Sequence, residues 1–263
     1  MPTRIPTPED FNHLSPSLHI SLVFPEVREL TTAILILFHG LGDSEAPFTS
    51  FPRNLNLPGV LSISVRGVSP LPPALLGQSH SEIAGPARHF HWGDDLTLSP
   101  STGDLESDPG FSKAEYLVLG KLVRETLIEK CGWNTNDIIL FGFGQGGSLA
   151  LGLSSRIREG EKVLDITEGD KGTSSCFKGS VSIGGPLPSS MIPTISTREK
   201  SRTPVLICHG RSSESLNEDD IDLLKKEFLD VREVKWKKSD DSMPKNRDEM
   251  LPIMQFFAER LRG

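Results

Sequence analysis

The sequence is poor in cysteine, in basic clusters and in long apolar runs. Its 263 residues hold three cysteines, Cys131, Cys176 and Cys208. An odd, sparse count excludes a disulfide framework and suits a reducing compartment. The formal net charge is −7. The local cluster Lys235-Trp236-Lys237-Lys238 runs straight into Asp240-Asp241, so the basic footprint of a nucleic-acid binder is missing. No apolar run approaches the roughly 20 residues that a membrane-spanning helix needs. Prolines and charges precede the first apolar run, so the signal-peptide pattern is absent. The expectation is a soluble, cytoplasmic protein with no nucleic-acid partner and no transmembrane segment.

What is present reads as alternating strands and helices. Ala33 to Phe38, Val60 to Val65, Asp137 to Phe141, Ser180 to Ile183 and Pro204 to Cys208 are nearly continuous apolar runs. Such runs fit strands buried on both faces. Leu18 to Phe24 alternates and fits an edge strand, and Val231 to Trp236 adds a further strand. Helices are expected at Phe111 to Cys131, Gly147 to Ile157, Glu218 to Leu229 and Arg247 to Leu261. In the first of these, Tyr116, Leu119, Leu122, Val123 and Leu127 recur on one face. Ser112 with Glu115 has the capping-box pattern. The expected architecture is an α/β fold, a mostly parallel central sheet with helices on both faces. Residues 1–16 read as a flexible lead-in, 17–263 as one domain, and 159–178 as a mobile surface insertion.

The most informative stretch is Ile138-Ile139-Leu140-Phe141-Gly142-Phe143-Gly144-Gln145-Gly146-Gly147-Ser148. Glycines alternate between an apolar run and a helix-like run. This is the spacing of the G-x-S-x-G nucleophile elbow, in which a strained strand-to-helix turn presents a serine. Here the central residue is Gly144. Two further glycine-bearing loops follow apolar strands, His39-Gly40-Leu41-Gly42-Asp43 and Cys208-His209-Gly210. Ligand sites of open α/β sheets lie at such strand ends.

Together these loops resemble the acyl-protein thioesterase/carboxylesterase family of α/β-hydrolases. That family carries L-H-G-L-G-D, G-F-S-Q-G-G, H-G-x-x-D and a late G-H motif, and the likeness spans roughly Ile34 to Leu261. The resemblance implies acyl transfer to water by a serine, a histidine and an acid. It implies an oxyanion cradle from the backbone N–H groups of Leu41 and Gln145, in loops kept open by Gly40 and Gly42. It maps the nucleophile, acid and histidine onto Gly144, Ser213 and Asp241, so all three side chains are substituted. None of the seven histidines follows His209, where this fold usually supplies its base. The expectation is a catalytically degenerate member that keeps an acyl- or ester-like ligand pocket or a protein-scaffold role. The alternative is an active ester or palmitoyl-protein thioester hydrolase with a non-standard site.

No cofactor is implied. His89, His91, Asp94 and Asp95 fit no common zinc spacing, so no metal is expected and the segment reads as a solvated loop. Phe90 and Trp92 either line a pocket or anchor that loop. His39 reads as shaping its turn, Ser148 as a packed helix residue, Cys208 as an inert core thiol, and Asp240-Asp241 as surface charge.

Overall fold

Strand β2 (Ala33–Phe38) shows why the apolar runs are continuous. Ile34, Ile36 and Phe38 enter the core on one side of the sheet, while Ala33, Leu35 and Leu37 enter the core on the other. Successive side chains of a strand point to opposite faces, so a strand covered twice must be apolar throughout. The computed structural model describes residues 3–72, 75, 88–96, 106, 108–157, 176–194 and 199–262.

The other strands of the main sheet are β1 (Ile20–Val23), β3 (Val60–Val65), β6 (Ile138–Phe143), β7 (Gly179–Ile183), β8 (Val205–His209) and β9 (Val231–Lys235). Their order is β1-β3-β2-β6-β7-β8-β9. Only β1 runs antiparallel, at an edge. A separate two-stranded ribbon pairs β4 (Ser69–Pro70) with β5 (Phe90–His91). The helices are α1 (Glu45–Phe48), α2 (Ser50–Leu55), α3 (Ser112–Glu115), α4 (Gln145–Arg156), α5 (Glu218–Glu227) and α6 (Arg247–Leu261). Residues of α4 and the helix after α3 fill the first core, and Ile253, Phe256 and Phe257 of α6 fill the second. Among the described residues no helix is long and apolar enough to cross a membrane.

The register sets the site. Phe38 pairs with Gly142, Phe143 with Ile183, and Ile183 with Cys208. The carboxyl ends of β2, β6, β7 and β8 therefore finish side by side, and the glycine loops that follow them meet.

Three expectations change. The segment expected as a loose lead-in is docked over residues 3–14. Asp10 is buried and accepts both guanidinium nitrogens of Arg4 at 2.6 and 2.7 Å, with Lys130 at 3.2 Å. The Trp133 indole donates to the Arg4 carbonyl at 2.8 Å. After α3 the chain winds as a π-helix over Tyr116–Lys130. The wider winding shifts the buried stripe, so Leu122, Val123 and Leu127 are buried but Tyr116 is 60% exposed. No side chain caps α3 from its N-cap, Phe111. Instead Asp94 accepts the amides of Ser112 and Lys113 at 2.8 and 2.9 Å. The insertion at 159–178 lies outside the described residues except at 176–178.

Burial works against the Asp94 charge, but the two amides, the Ser112 hydroxyl and the Lys113 charge together hold the carboxyl below its ordinary value. Asp94→Ala removes that cap. Urea denaturation should show a loss of about 1–2 kcal/mol, with an unchanged far-ultraviolet spectrum.

Candidate active site

The turn between β6 and α4 is built from glycines for two different reasons. At Gly142 and Gly146 the reason is contact. A Cβ added at Gly142 would lie 2.1 Å from the Gly146 carbonyl oxygen, and one at Gly146 would lie 2.4 Å from the His39 oxygen. At Gly144 the reason is conformation. Its φ of 51° and ψ of −122° strain any residue with a side chain, yet an added Cβ meets only the Gly40 Cα at 4.0 Å. The position is sterically open and carries no side chain. The Gly144 amide donates to Ile183 at 2.8 Å, which fixes the turn to β7.

The loop after β2 is held from several sides. Fully buried His39 places Nδ1 2.7 Å from the Gly40 oxygen, and its Nε2 accepts the Gly67 amide at 2.8 Å. An N–H donor at Nε2 requires the neutral ring with its proton on Nδ1. Burial pushes the ring below its ordinary value, against the Gly40 bond. His39 therefore shapes the turn, as its loop position suggests. Trp92 is fully buried and locks both halves of the cradle together. Its indole donates to the His39 oxygen and its amide to the Gln145 side chain, each at 2.8 Å. Gly42 donates to Phe90 at 2.9 Å, and His89 contacts the Gly42 oxygen at 2.7 Å. Among the described residues, the Leu41 and Gln145 amides have no protein acceptor. Leu41 is exposed beside Gly40 and Gly42, and Gln145 opens α4, whose dipole favours negative charge at that end.

The segment expected as a solvated loop is thus structural. His91 is buried in β5 with Nδ1 unpartnered, Trp92 anchors the cradle, and Phe90 lines a cavity of about 370 Å³ with Arg66 and Arg88. No alternation or charge pattern in His89-Phe90-His91-Trp92 foretold this, because its partners lie in three distant loops. Among the described residues no cluster suited to a metal ion is found.

The structure brings Ser213 and Asp241 into contact. The Ser213 hydroxyl donates to Asp241 at 2.6 Å, and the Gly210 amide donates to the other carboxylate oxygen at 2.8 Å. Ser213 also accepts the Leu216 amide at 3.0 Å. Asp241 packs against Gly184, where an added Cβ would lie 2.6 Å from its own. A Cβ at the next residue, Gly185, would lie 2.3 Å from the Gly144 oxygen. Gly144 and Asp241 therefore flank one tight turn. Asp240 is exposed, as expected of surface charge, whereas Asp241 is half-buried and engaged. Lys238, read in the sequence only as part of a short basic cluster, pins this loop. Its ammonium bonds the Ser242 and Met243 carbonyls, pairs with Glu249 at 3.3 Å and lies 4.0 Å over the Trp236 ring.

Among the described residues, His209, Cys208 and Ser148 are each engaged or buried. His209 has Nδ1 on the Gly210 oxygen at 2.9 Å and Nε2 on Glu233 at 3.0 Å, on the far side of its loop. Cys208 is fully buried, and burial pushes its thiol up to about 12, which removes the thiolate that reactivity needs. Ser148 is buried in α4 with its amide on the Gly144 oxygen at 3.0 Å.

A mostly parallel sheet, a glycine turn at the strand end and a facing oxyanion-type loop define an α/β-hydrolase. The chain belongs to the phospholipase/carboxylesterase family, whose pattern it matches over residues 21–261. It is 28% identical over 246 residues to an uncharacterized hydrolase of Schizosaccharomyces pombe, covering 90% of this chain and 86% of that one. Among solved structures it resembles Zea mays acyl-protein thioesterase 2, with a TM-score of 0.61 and 19% identity over 92% of this chain and 99% of that one. It also resembles the Bacillus cereus carboxylesterase, with a TM-score of 0.57 and 13% identity over 97% and 100% of the two chains. At these identities the two structures show the fold alone.

The His39 geometry gives a pH dependence. Its folded ring is held below the ordinary value of 6.5, so the unfolded chain binds the extra proton first as pH falls. Stability is full above that value and declines below it. Thermal denaturation between about pH 7 and 5 should show this decline, and His39→Gln should flatten it.

Proposed function

We propose that this chain keeps the ligand cradle of a carboxylesterase-type α/β-hydrolase but has lost serine-type hydrolysis. The observation that carries the reading is Gly144 itself. It adopts the elbow conformation, the space for a side chain is open, and its own position carries no nucleophile. On this reading Gly144, Ser213 and Asp241 occupy the nucleophile, acid and histidine positions. The Ser213–Asp241 contact of 2.6 Å supports the pairing, because an acid and a histidine of a triad must touch. An aspartate there neither carries a proton to a leaving group nor relays one from a serine.

The cradle reading draws on the Leu41 and Gln145 amides. Preorganised N–H donors of this kind stabilise a carbonyl oxygen or an oxyanion, typically by about 2.7–4 kcal/mol per donor in a working transition state. Without a nucleophile the same donors bind an acyl or ester-like carbonyl and leave it intact. Slow turnover of activated esters is compatible with this, since an oxyanion hole and binding alone leave about 10³–10⁴-fold acceleration over water.

A fluorophosphonate probe should therefore leave the chain unlabelled, and a single labelled serine overturns the proposal in favour of hydrolysis at a non-standard site. Restoring the chemistry supplies the converse test. Gly144→Ser alone should cost about 1–3 kcal/mol of stability, because it places a side chain in a strained backbone. Gly144→Ser, Ser213→Asp and Asp241→His together should give probe labelling and measurable ester turnover. A folded, inactive triple variant would contradict the position assignments.

A further inference from the structure

Asp241 is a half-buried carboxylate with no cation of its own. Its two hydrogen bonds come from a neutral hydroxyl and a backbone amide. Among the described residues no lysine, arginine or histidine pairs with it, although Lys238 lies in the same loop and is spent on Ser242, Met243 and Glu249. A carboxylate has about four acceptor positions, so two remain open. The hydroxyl and amide bonds, with the packing against Gly184, hold the group in place. Across the Gly184–Gly185 turn lie Gly144 and the donors of the cradle.

The two walls have opposite polarity. On one side the Leu41 and Gln145 amides and the α4 N-terminus favour an oxygen acceptor. On the other, Asp241 favours a hydrogen-bond donor and opposes an anion. We infer that Asp241 sets ligand choice at this site, selecting molecules whose carbonyl is followed by an N–H donor, that is acyl amides, over esters and free carboxylates. The inference rests on the cradle reading above and adds the headgroup class to it. An amide places its oxygen on the two backbone donors and its N–H on the carboxylate. An ester leaves the carboxylate unmatched, and a carboxylate ligand brings two like charges together, which costs binding.

The test compares hexanamide, methyl hexanoate and hexanoate on the intact chain by isothermal titration calorimetry. Hexanamide should bind about tenfold or more tightly than hexanoate, as a hydrogen bond to a charged group implies, with the ester between them. Asp241→Asn should bring amide and carboxylate to within about threefold of each other, while Ser213→Ala, which retains the charge, should preserve the preference. The wild-type comparison decides the matter even where a variant fails to fold. Equal or tighter binding of the carboxylate overturns the role of Asp241 and leaves the cradle standing. Binding of none of the three overturns the cradle reading, and this inference with it.

Discussion

Everything at this site depends on the close approach of backbone to backbone at the ends of four parallel strands. Gly142 against Gly146, Gly146 against His39 and Gly185 against Gly144 all lack room for a Cβ. These contacts bring the β2 loop, the α4 N-terminus and the β7 turn within reach of one small ligand group. The in-register pairing of Phe38 with Gly142 and of Phe143 with Ile183 makes the approach possible. A side chain at any of these three glycines would separate the loops before it changed any chemistry. The arrangement of these loops is therefore a property of the packing.

The proposed loss of the triad would rearrange the local electrostatics and keep the geometry of the turn. Ser213 and Gly210 hydrogen-bond the Asp241 carboxyl without supplying an opposite charge. At Gly144 the turn pays no strain, because glycine tolerates the conformation that a serine must endure. A working hydrolase accepts that strain as part of its mechanism. Trp92, His39 and Gln145 hold the loops around Gly144 in shape.

Much of this was legible in the sequence, for identifiable reasons. Buried parallel strands are covered on both faces, so β2 and β8 stand out as continuous apolar runs, while β3 and β7 interleave small buried serines. The glycine spacing around Gly144 announces an elbow because few other turns demand it. Local pattern could not reveal long-range partners. The docking of Asp10 onto Arg4 and Lys130, the locking role of Trp92 and the Asp94 cap each join residues far apart in the chain. The π winding after α3 was hidden because its apolar positions also satisfy an ordinary helical repeat. Short α1 and α2, interrupted by Pro47 and Pro52, carry too few residues for periodicity to register.

The central claim is that the oxyanion-type donors remain in service while hydrolysis is gone. The most direct measurement is a backbone amide NMR titration of the chain with a short acyl ester, with the ester itself followed in the same tube. The account predicts that the largest shifts fall on Leu41 and Gln145 and that the ester stays intact beyond its background decay. Stoichiometric acyl-enzyme formation or enzyme-level turnover would contradict the account, as would shifts confined to residues outside the Gly40–Gly42 and Gly144–Gly146 loops.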